Sequence, residues 1–230
     1  MYKYLLWDID GTVLDFLAAE KCAIRALFEK YGFGECTDDM IKLYSGINTK
    51  YWQKLERNEL SKAEILIGRF REFFRIVGVD VSFAESFNQD YQLALGDYVS
   101  FIDKAEEILL SQKGKYTLVA VTNGTRLAQE KKLRLSGLDK VFDSIFISEI
   151  VGFEKPNREF FDHVFEKVGI RDKSEVLMIG DSLSGDMNGG YMAGIDTCWF
   201  NPTHQQNTLG IPITYEIDDL TKICRIAPVE

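Results

Sequence analysis

At 230 residues, 46% of them apolar, the chain can bury one full core and still carry a smaller inserted unit. A net charge of −9 argues against a nucleic-acid duplex or an anionic membrane as partner, but leaves room for a small anion in a locally basic pocket. No apolar run reaches the roughly 18 residues of a membrane span, the N-terminal "YKYLLWDID" lacks the make-up of a signal peptide, and the scattered Cys22, Cys36, Cys198 and Cys224 show neither a C-x-x-C pair nor zinc-site spacing, so buried free thiols in a reducing cytoplasm are expected.

Taken in chain order, residues 2–9 read as a short buried strand. Asp15 is an N-cap for a helix over "FLAAEKCAIRALFEKYG", whose apolar residues recur at Ala23, Ile24, Leu27, Phe28 and Tyr31. Thr37, with Asp38 and Asp39 behind it, opens a second helix. Ser61 and Glu64 form a capping box ahead of a third helix that stops at Gly78, and a fourth covers roughly residues 83–98. Residues 15–95 are therefore expected to be all helical. From residue 100 the pattern changes to alternating helix and strand. A helix near 104–112 leads to the apolar run "YTLVAVTNG", a helix over 126–135 ends at Gly137, "SIFISEIVG" reads as a strand, and "KPNREFFDHVFEKVG" as a helix with Pro156 near its start. "EVLMIGDS" is a further strand, "GDMNGGYMAG" its helix and "DTCWF" the next strand; Asp218 and Asp219 read as a helix start. The alternation predicts an α/β fold, a Rossmann-like parallel sheet flanked by helices, with a helical cap inserted after the first strand. The expected division is a core of residues 1–14 and 96–230 and a cap of residues 15–95.

Four short pieces stand at strand ends. Asp8-Ile9-Asp10-Gly11-Thr12 follows the first strand, Thr122-Asn123-Gly124 a second, Lys155-Pro156 precedes a helix, and Gly180-Asp181-Ser182 with Asp186 follows a later strand. In open parallel sheets the carboxyl edge is where ligands bind. Two carboxylates at i and i+2 repel unless a cation or proton lies between them. Asp8, Asp10 and Asp181 offer the hard oxygens that suit Mg²⁺. One carboxylate can attack phosphorus while a second moves a proton. Lys155, Thr122 and the amides near Asn123 could neutralise phosphoryl oxygens, and Gly11, Gly124 and Gly180 let the backbone approach a small anion. The plainer readings are a solvated turn for Asp8 and Asp10, a strand-end turn for residues 122–124, a surface lysine for Lys155 and a helix cap for Asp186. His163 and His204 have no partner at metal spacing. Phe16, just past the first piece, and Tyr51 and Trp52 in "YWQ" are candidates to stack on a base, although aromatics in a small helical unit are usually core.

The four pieces, in this order and spacing, resemble the motifs of the haloacid dehalogenase superfamily, and the helical insert resembles its small cap. More narrowly, "YLLWDIDGTVLDF", "VTNGTRLAQEKKLRLSGL", "KPNREFF", "MIGDSLSGDMNGGYMAGIDTCWFNP" and "ITYEI" look like the noncanonical pyrimidine nucleotidase branch. That branch often has an acidic residue where Gly11 stands, whereas glycine is common there in the wider superfamily. The resemblance implies that Asp8 is the nucleophile and a Mg²⁺ ligand. Asp10 would be the general acid/base, with its backbone carbonyl on the metal. Thr122 and the Asn123 amide, beside Gly124, would bind the phosphoryl group, Lys155 would hold Asp8 and that group, Asp181 would complete the metal site, and Asp186 would support it directly or through water. It further implies a Mg²⁺-dependent phosphatase of small phosphate monoesters, most simply nucleoside 5′-monophosphates, working through an aspartyl-phosphate. Sugar-phosphate phosphatase, phosphomutase, halide-releasing dehalogenase and a catalytically silent phosphate-binding protein stay open as alternatives. The expected partner is a small-molecule phosphate monoester rather than a nucleic acid polymer or a membrane, and the chain is expected as a monomer or homodimer.

Overall fold

The N-terminal apolar run becomes the middle of a six-stranded sheet in a computed structural model that describes residues 1–229. In chain order the elements are β1 (Tyr4–Trp7), α1 (Phe16–Tyr31), α2 (Asp38–Glu56), α3 (Lys62–Val77), α4 (Ala84–Leu95), α5 (Ala105–Gln112), β2 (Thr117–Thr122), α6 (Arg126–Ser136) and β3 (Ser144–Ile147). Then come α7 (Ser148–Val151), α8 (Arg158–Val168), β4 (Val176–Gly180), α9 (Asn188–Ala193), β5 (Asp196–Phe200), β6 (Tyr215–Ile217) and α10 (Ile223–Ile226). The sheet order is β3-β2-β1-β4-β5-β6 and every pairing is parallel. This is the α/β architecture expected from the sequence, and the order reverses direction between β1 and β4, where such sheets bind ligands.

The strands are apolar along their length because both faces are covered. Leu5, Trp7, Leu118, Ala120, Leu177 and Ile179 point into one layer, while Leu6, Val119, Val121, Val176 and Met178 point into the other. Helices α1–α4 pack around a third apolar cluster rich in rings, including Phe28, Tyr44, Phe70, Phe73, Phe74 and Phe87. Their starts follow the sequence signals: Asp15 accepts from the Ala18 amide at 3.0 Å, Thr37 from Met40 at 3.3 Å, and Ser61 and Glu64 close a full capping box. Asp219 likewise caps the short turn over residues 220–222.

Several expectations shift. The strand expected through "SIFISEIVG" ends at Ile147, because Ser148 turns inward, fully buried, and accepts a hydrogen bond from Lys62 Nζ at 2.6 Å as α7 begins. The stretch before α9 opens as one wide helical turn over 183–187, and β6 adds an edge strand that the sequence pattern did not mark. Among the described residues all four cysteines are free, but only Cys36 and Cys198 are buried; Cys22 lies on the outer face of α1 and Cys224 on that of α10. No helix of the described residues is long and apolar enough to cross a membrane.

Candidate active site

Because β2, β1 and β4 are neighbours in parallel, their carboxyl ends deliver Thr122, Asp8 and Asp181 side by side. The Asp8 amide continues the ladder by donating to Ile179 O at 2.9 Å. Lys155 enters from the loop before α8 and is fully buried. Its ammonium donates to Asp8 Oδ1 at 2.7 Å, Asp186 Oδ1 at 2.7 Å and Val121 O at 2.9 Å, which uses all three of its protons. Asn123 does something the sequence did not announce: its side chain donates to Lys155 O at 2.8 Å and accepts from Lys155 N at 2.9 Å, bracing the backbone at the cis Lys155-Pro156 bond. Thr122 Oγ1 accepts from the Gly124 amide at 3.1 Å, so that amide is already engaged.

Oxygens of Asp8, Asp181 and Asp186 lie within 4.8 Å of one another. Thr12 Oγ1 donates to Asp181 Oδ1 at 3.2 Å, the Trp199 indole donates to Asp181 O at 2.9 Å, and the Ser182 amide donates to Asp186 Oδ2 at 3.0 Å. Asp186 is thus more than a helix cap: it is buried and shares Lys155 with Asp8. Gly11 has φ +93°, and a Cβ there would stand 2.6 Å from Asp181 Oδ2, so a side chain at this turn is strained and displaces the Asp181 carboxylate. A Cβ at Gly124 would strike Gln129 Nε2 at 2.1 Å.

Two buried carboxylates, Asp8 and Asp186, and the half-buried Asp181 face one ammonium and leave an excess of negative charge, which shows in their ionisation equilibria. Burial lifts the Asp8 carboxyl well above its ordinary range; Lys155 opposes this, and the charges of Asp186 and Asp181 reinforce it. Burial and then Asp186 push Asp181 up to about 7. Burial works to lower Lys155, but Asp186 and Asp8 outweigh it and raise it. A divalent cation is the charge this set lacks. Octahedral Mg²⁺ holds oxygens at about 2.1 Å, which puts opposite ligands about 4.2 Å apart, so the cluster suits one such ion.

The Asp10 side chain turns away from this cluster. Its Oδ1 accepts from Lys132 Nζ at 2.6 Å and its Oδ2 from Gln129 Nε2 at 2.6 Å, both on α6 and both buried. Beside it lies a cavity of about 20 Å³ whose walls include Phe16 and Trp52, with Lys132 Nζ 5.2 Å from the Phe16 ring centre. Neither Gln129 nor Lys132 was singled out from the sequence. The available signal was spacing alone: Thr125, Gln129 and Lys132 fall at helical intervals and so share one face of α6, without marking that face as buried. Glu56, the last residue of α2, was missed too. Its carboxylate accepts from Ser182 Oγ at 3.1 Å and from Ser184 Oγ, joining α2 to the turn after β4, and burial pushes it up to about 7.

A family model described as haloacid dehalogenase-like hydrolase matches residues 5–200. The chain belongs to that family. It is 38% identical to HAD-hydrolase YfnB of Bacillus subtilis, over 100% of this chain and 97% of the relative. Pyrimidine 5′-nucleotidase PynA of Streptococcus pneumoniae is 37% identical (94% and 91% covered), and pyrimidine 5′-nucleotidase YjjG of Escherichia coli 28% identical (96% of each). A crystal structure of the B. subtilis YfnB bound to magnesium, in which interdomain movement is described, superposes with a TM-score of 0.90 over 98% of each chain. L-2-haloacid dehalogenase of Xanthobacter autotrophicus shares the fold, with a TM-score of 0.75 at 15% identity and coverage of 99% and 98%.

Proposed function

We propose that this haloacid dehalogenase-like hydrolase is a Mg²⁺-dependent phosphomonoesterase acting on pyrimidine nucleoside 5′-monophosphates through an aspartyl-phosphate. The observation that carries this is the division of labour between two carboxylates two residues apart: Asp8 held by Lys155 inside the acidic cluster, and Asp10 held apart from it by Gln129 and Lys132. Asp8 attacks phosphorus, the ester P–O bond breaks, and the leaving oxygen takes a proton from Asp10. Asp10 then takes a proton from the water that attacks the acyl phosphate, which releases phosphate and restores Asp8. Lys155 fixes Asp8 and offsets the charge that gathers on the phosphoryl oxygens, and Thr122 binds that group. Asp8, Asp181, the Asp10 carbonyl and Asp186, directly or through water, would hold Mg²⁺, which would supply further charge neutralisation at the phosphoryl oxygens. Releasing halide from a haloacid needs no acid two residues beyond the nucleophile, so Asp10 favours phosphate esters.

The nucleotide part of the reading is supported by the aromatic walls at Phe16 and Trp52 and by the two pyrimidine 5′-nucleotidases among the relatives. A second reading, phosphatase of a small sugar phosphate, is favoured by a 31% identical relative, glyceraldehyde 3-phosphate phosphatase of Methanothermobacter thermautotrophicus, with 98% and 100% of the chains covered. Phosphate release from UMP, dUMP, dTMP, ribose 5-phosphate and glyceraldehyde 3-phosphate, with Mg²⁺ and with EDTA, separates them. The expected result is Mg²⁺-dependent turnover with the highest kcat/KM on the pyrimidine nucleotides. Turnover unaffected by EDTA, or confined to sugar phosphates, would contradict it.

A further inference from the structure

The cap buries charge that its packing does not require. Glu20, Asn48 and Arg69 are at most 2% exposed, and Asn88 and Gln92 are 7% exposed, in a bundle whose core is otherwise aromatic and aliphatic. Apolar residues of similar size would serve such a bundle equally well or better. The polar groups form one chain. Asn48 Nδ2 donates to Glu20 at 2.8 Å, Arg69 donates to Asn48 Oδ1 at 2.7 Å and to Asn88 Oδ1 at 3.2 Å, Gln92 Nε2 donates to Asn88 Oδ1 at 3.1 Å, and Thr125 Oγ1 donates to Gln92 Oε1 at 2.8 Å. Arg69 is further fixed between the Phe70 and Tyr91 rings, 5.1 and 5.2 Å from their centres. The chain therefore starts inside the cap and ends on the core, at the head of α6.

Its course passes the cavity beside Asp10. Arg69, Gln92 and Gln129 share that cavity's wall with Phe16 and Trp52. Hydrogen-bonding capacity is left over there. Arg69 carries five N–H groups, and the acceptors facing it are Leu66 O, Asn48 Oδ1 and Asn88 Oδ1. Gln129 Oε1 is buried and, among the described residues, has no partner. Its orientation is fixed, because exchanging the amide's two ends would set a carbonyl against the Asp10 carboxylate. A buried acceptor without a donor is costly unless a ligand supplies one.

We propose that this wall is the subsite for the part of the substrate that departs from phosphate. Arg69 and Gln92 donate to O2, the ring oxygen that uracil, thymine and cytosine share, with the ring between Phe16 and Trp52. Gln129 Oε1, next to Asp10 and so next to the ester oxygen, accepts from a sugar hydroxyl. The assignment rests on the nucleotidase reading above and names the residues that would make it selective. At about 20 Å³ the cavity holds about one water molecule, so the cap lifts to admit a nucleoside and the wall closes on it afterwards.

The test is the ratio of kcat/KM on UMP to kcat/KM on ribose 5-phosphate, which has the sugar and phosphate but no ring. Arg69→Met and, separately, Gln92→Leu are each expected to lower that ratio about tenfold or more, chiefly through KM on UMP. Gln92→Leu removes only the chain's last link in the cap, so it keeps the test available if Arg69→Met does not fold. A wild-type enzyme that prefers UMP, with variants that lose both substrates in parallel or neither, would overturn the subsite while leaving the nucleotidase reading intact. A wild-type enzyme that hydrolyses ribose 5-phosphate but not UMP would overturn both.

Discussion

Asp8→Asn is expected to lower turnover on the order of 10⁴-fold or more without loss of fold. Asparagine keeps the shape of the side chain and its contact with Lys155 but cannot attack phosphorus. The fold survives because the charge at Asp8 is, on balance, unwelcome in the metal-free protein. Burial, together with Asp186 and Asp181, disfavours ionisation there more than Lys155 favours it. The neutral variant should therefore unfold at a temperature no lower than the wild-type protein does in EDTA. The checks are steady-state hydrolysis of UMP and a thermal melt by circular dichroism. A variant retaining a rate within about tenfold of wild type would remove Asp8 from the role of nucleophile.

Lys155→Met has the second large effect, and it falls on stability as well as rate. Methionine fills much of the same space but strands two carboxylates and the Val121 carbonyl that the ammonium had satisfied. Removing one partner of a buried ionic network costs about 3–5 kcal/mol, which for a chain of this size lowers Tm by roughly 6–20 °C. Turnover should fall about 10²–10³-fold, as when one preorganised donor to a developing charge is lost. Mg²⁺ should raise Tm more in the variant than in the wild-type protein, because a bound ion would then be the main counter-charge for Asp8, Asp181 and Asp186. A variant as stable as wild type, or one whose Tm ignores Mg²⁺, would contradict the charge balance described for the cluster.

How much of this was legible beforehand depended on whether a residue's meaning was local. Asp8, Asp10, Thr122 and Asp181 stood out as candidates because each lies at the end of an apolar run beside a glycine-containing turn, and Lys155 because a proline and a helix start follow it; a parallel sheet gathers such strand ends on one edge. Asp186 was legible as a carboxylate, while its tie to Lys155 needed the fold. Asn123 was read as a phosphate-facing amide, and the structure gives its side chain a bracing task on the Lys155 backbone. The rest was hidden for physical reasons. Gln129 and Lys132 look like the solvated face of a charged helix until β1 places Asp10 against them. Glu56 meets Ser182 across 126 positions of sequence, a closure that no local pattern encodes. Arg69 sits in "ILIGRFREFF", where an arginine between apolar residues reads as a boundary of the buried stripe and not as part of a polar chain within it. The strand through "SIFISEIVG" was over-extended because β-branched residues favour it, and the burial of Ser148 against Lys62 decided otherwise.

The most direct measurement uses Asp10→Asn with acetyl phosphate and Mg²⁺. Acetate is a good enough leaving group to depart without the acid, whereas breakdown of an acyl phosphate still needs the base. Acid-quenched protein should therefore carry the mass of one phosphoryl group, mapped by peptide mass spectrometry to Asp8, and Asp8→Asn should carry none. A phosphoryl group found on another residue, or undiminished in Asp8→Asn, would contradict the mechanism at its first step.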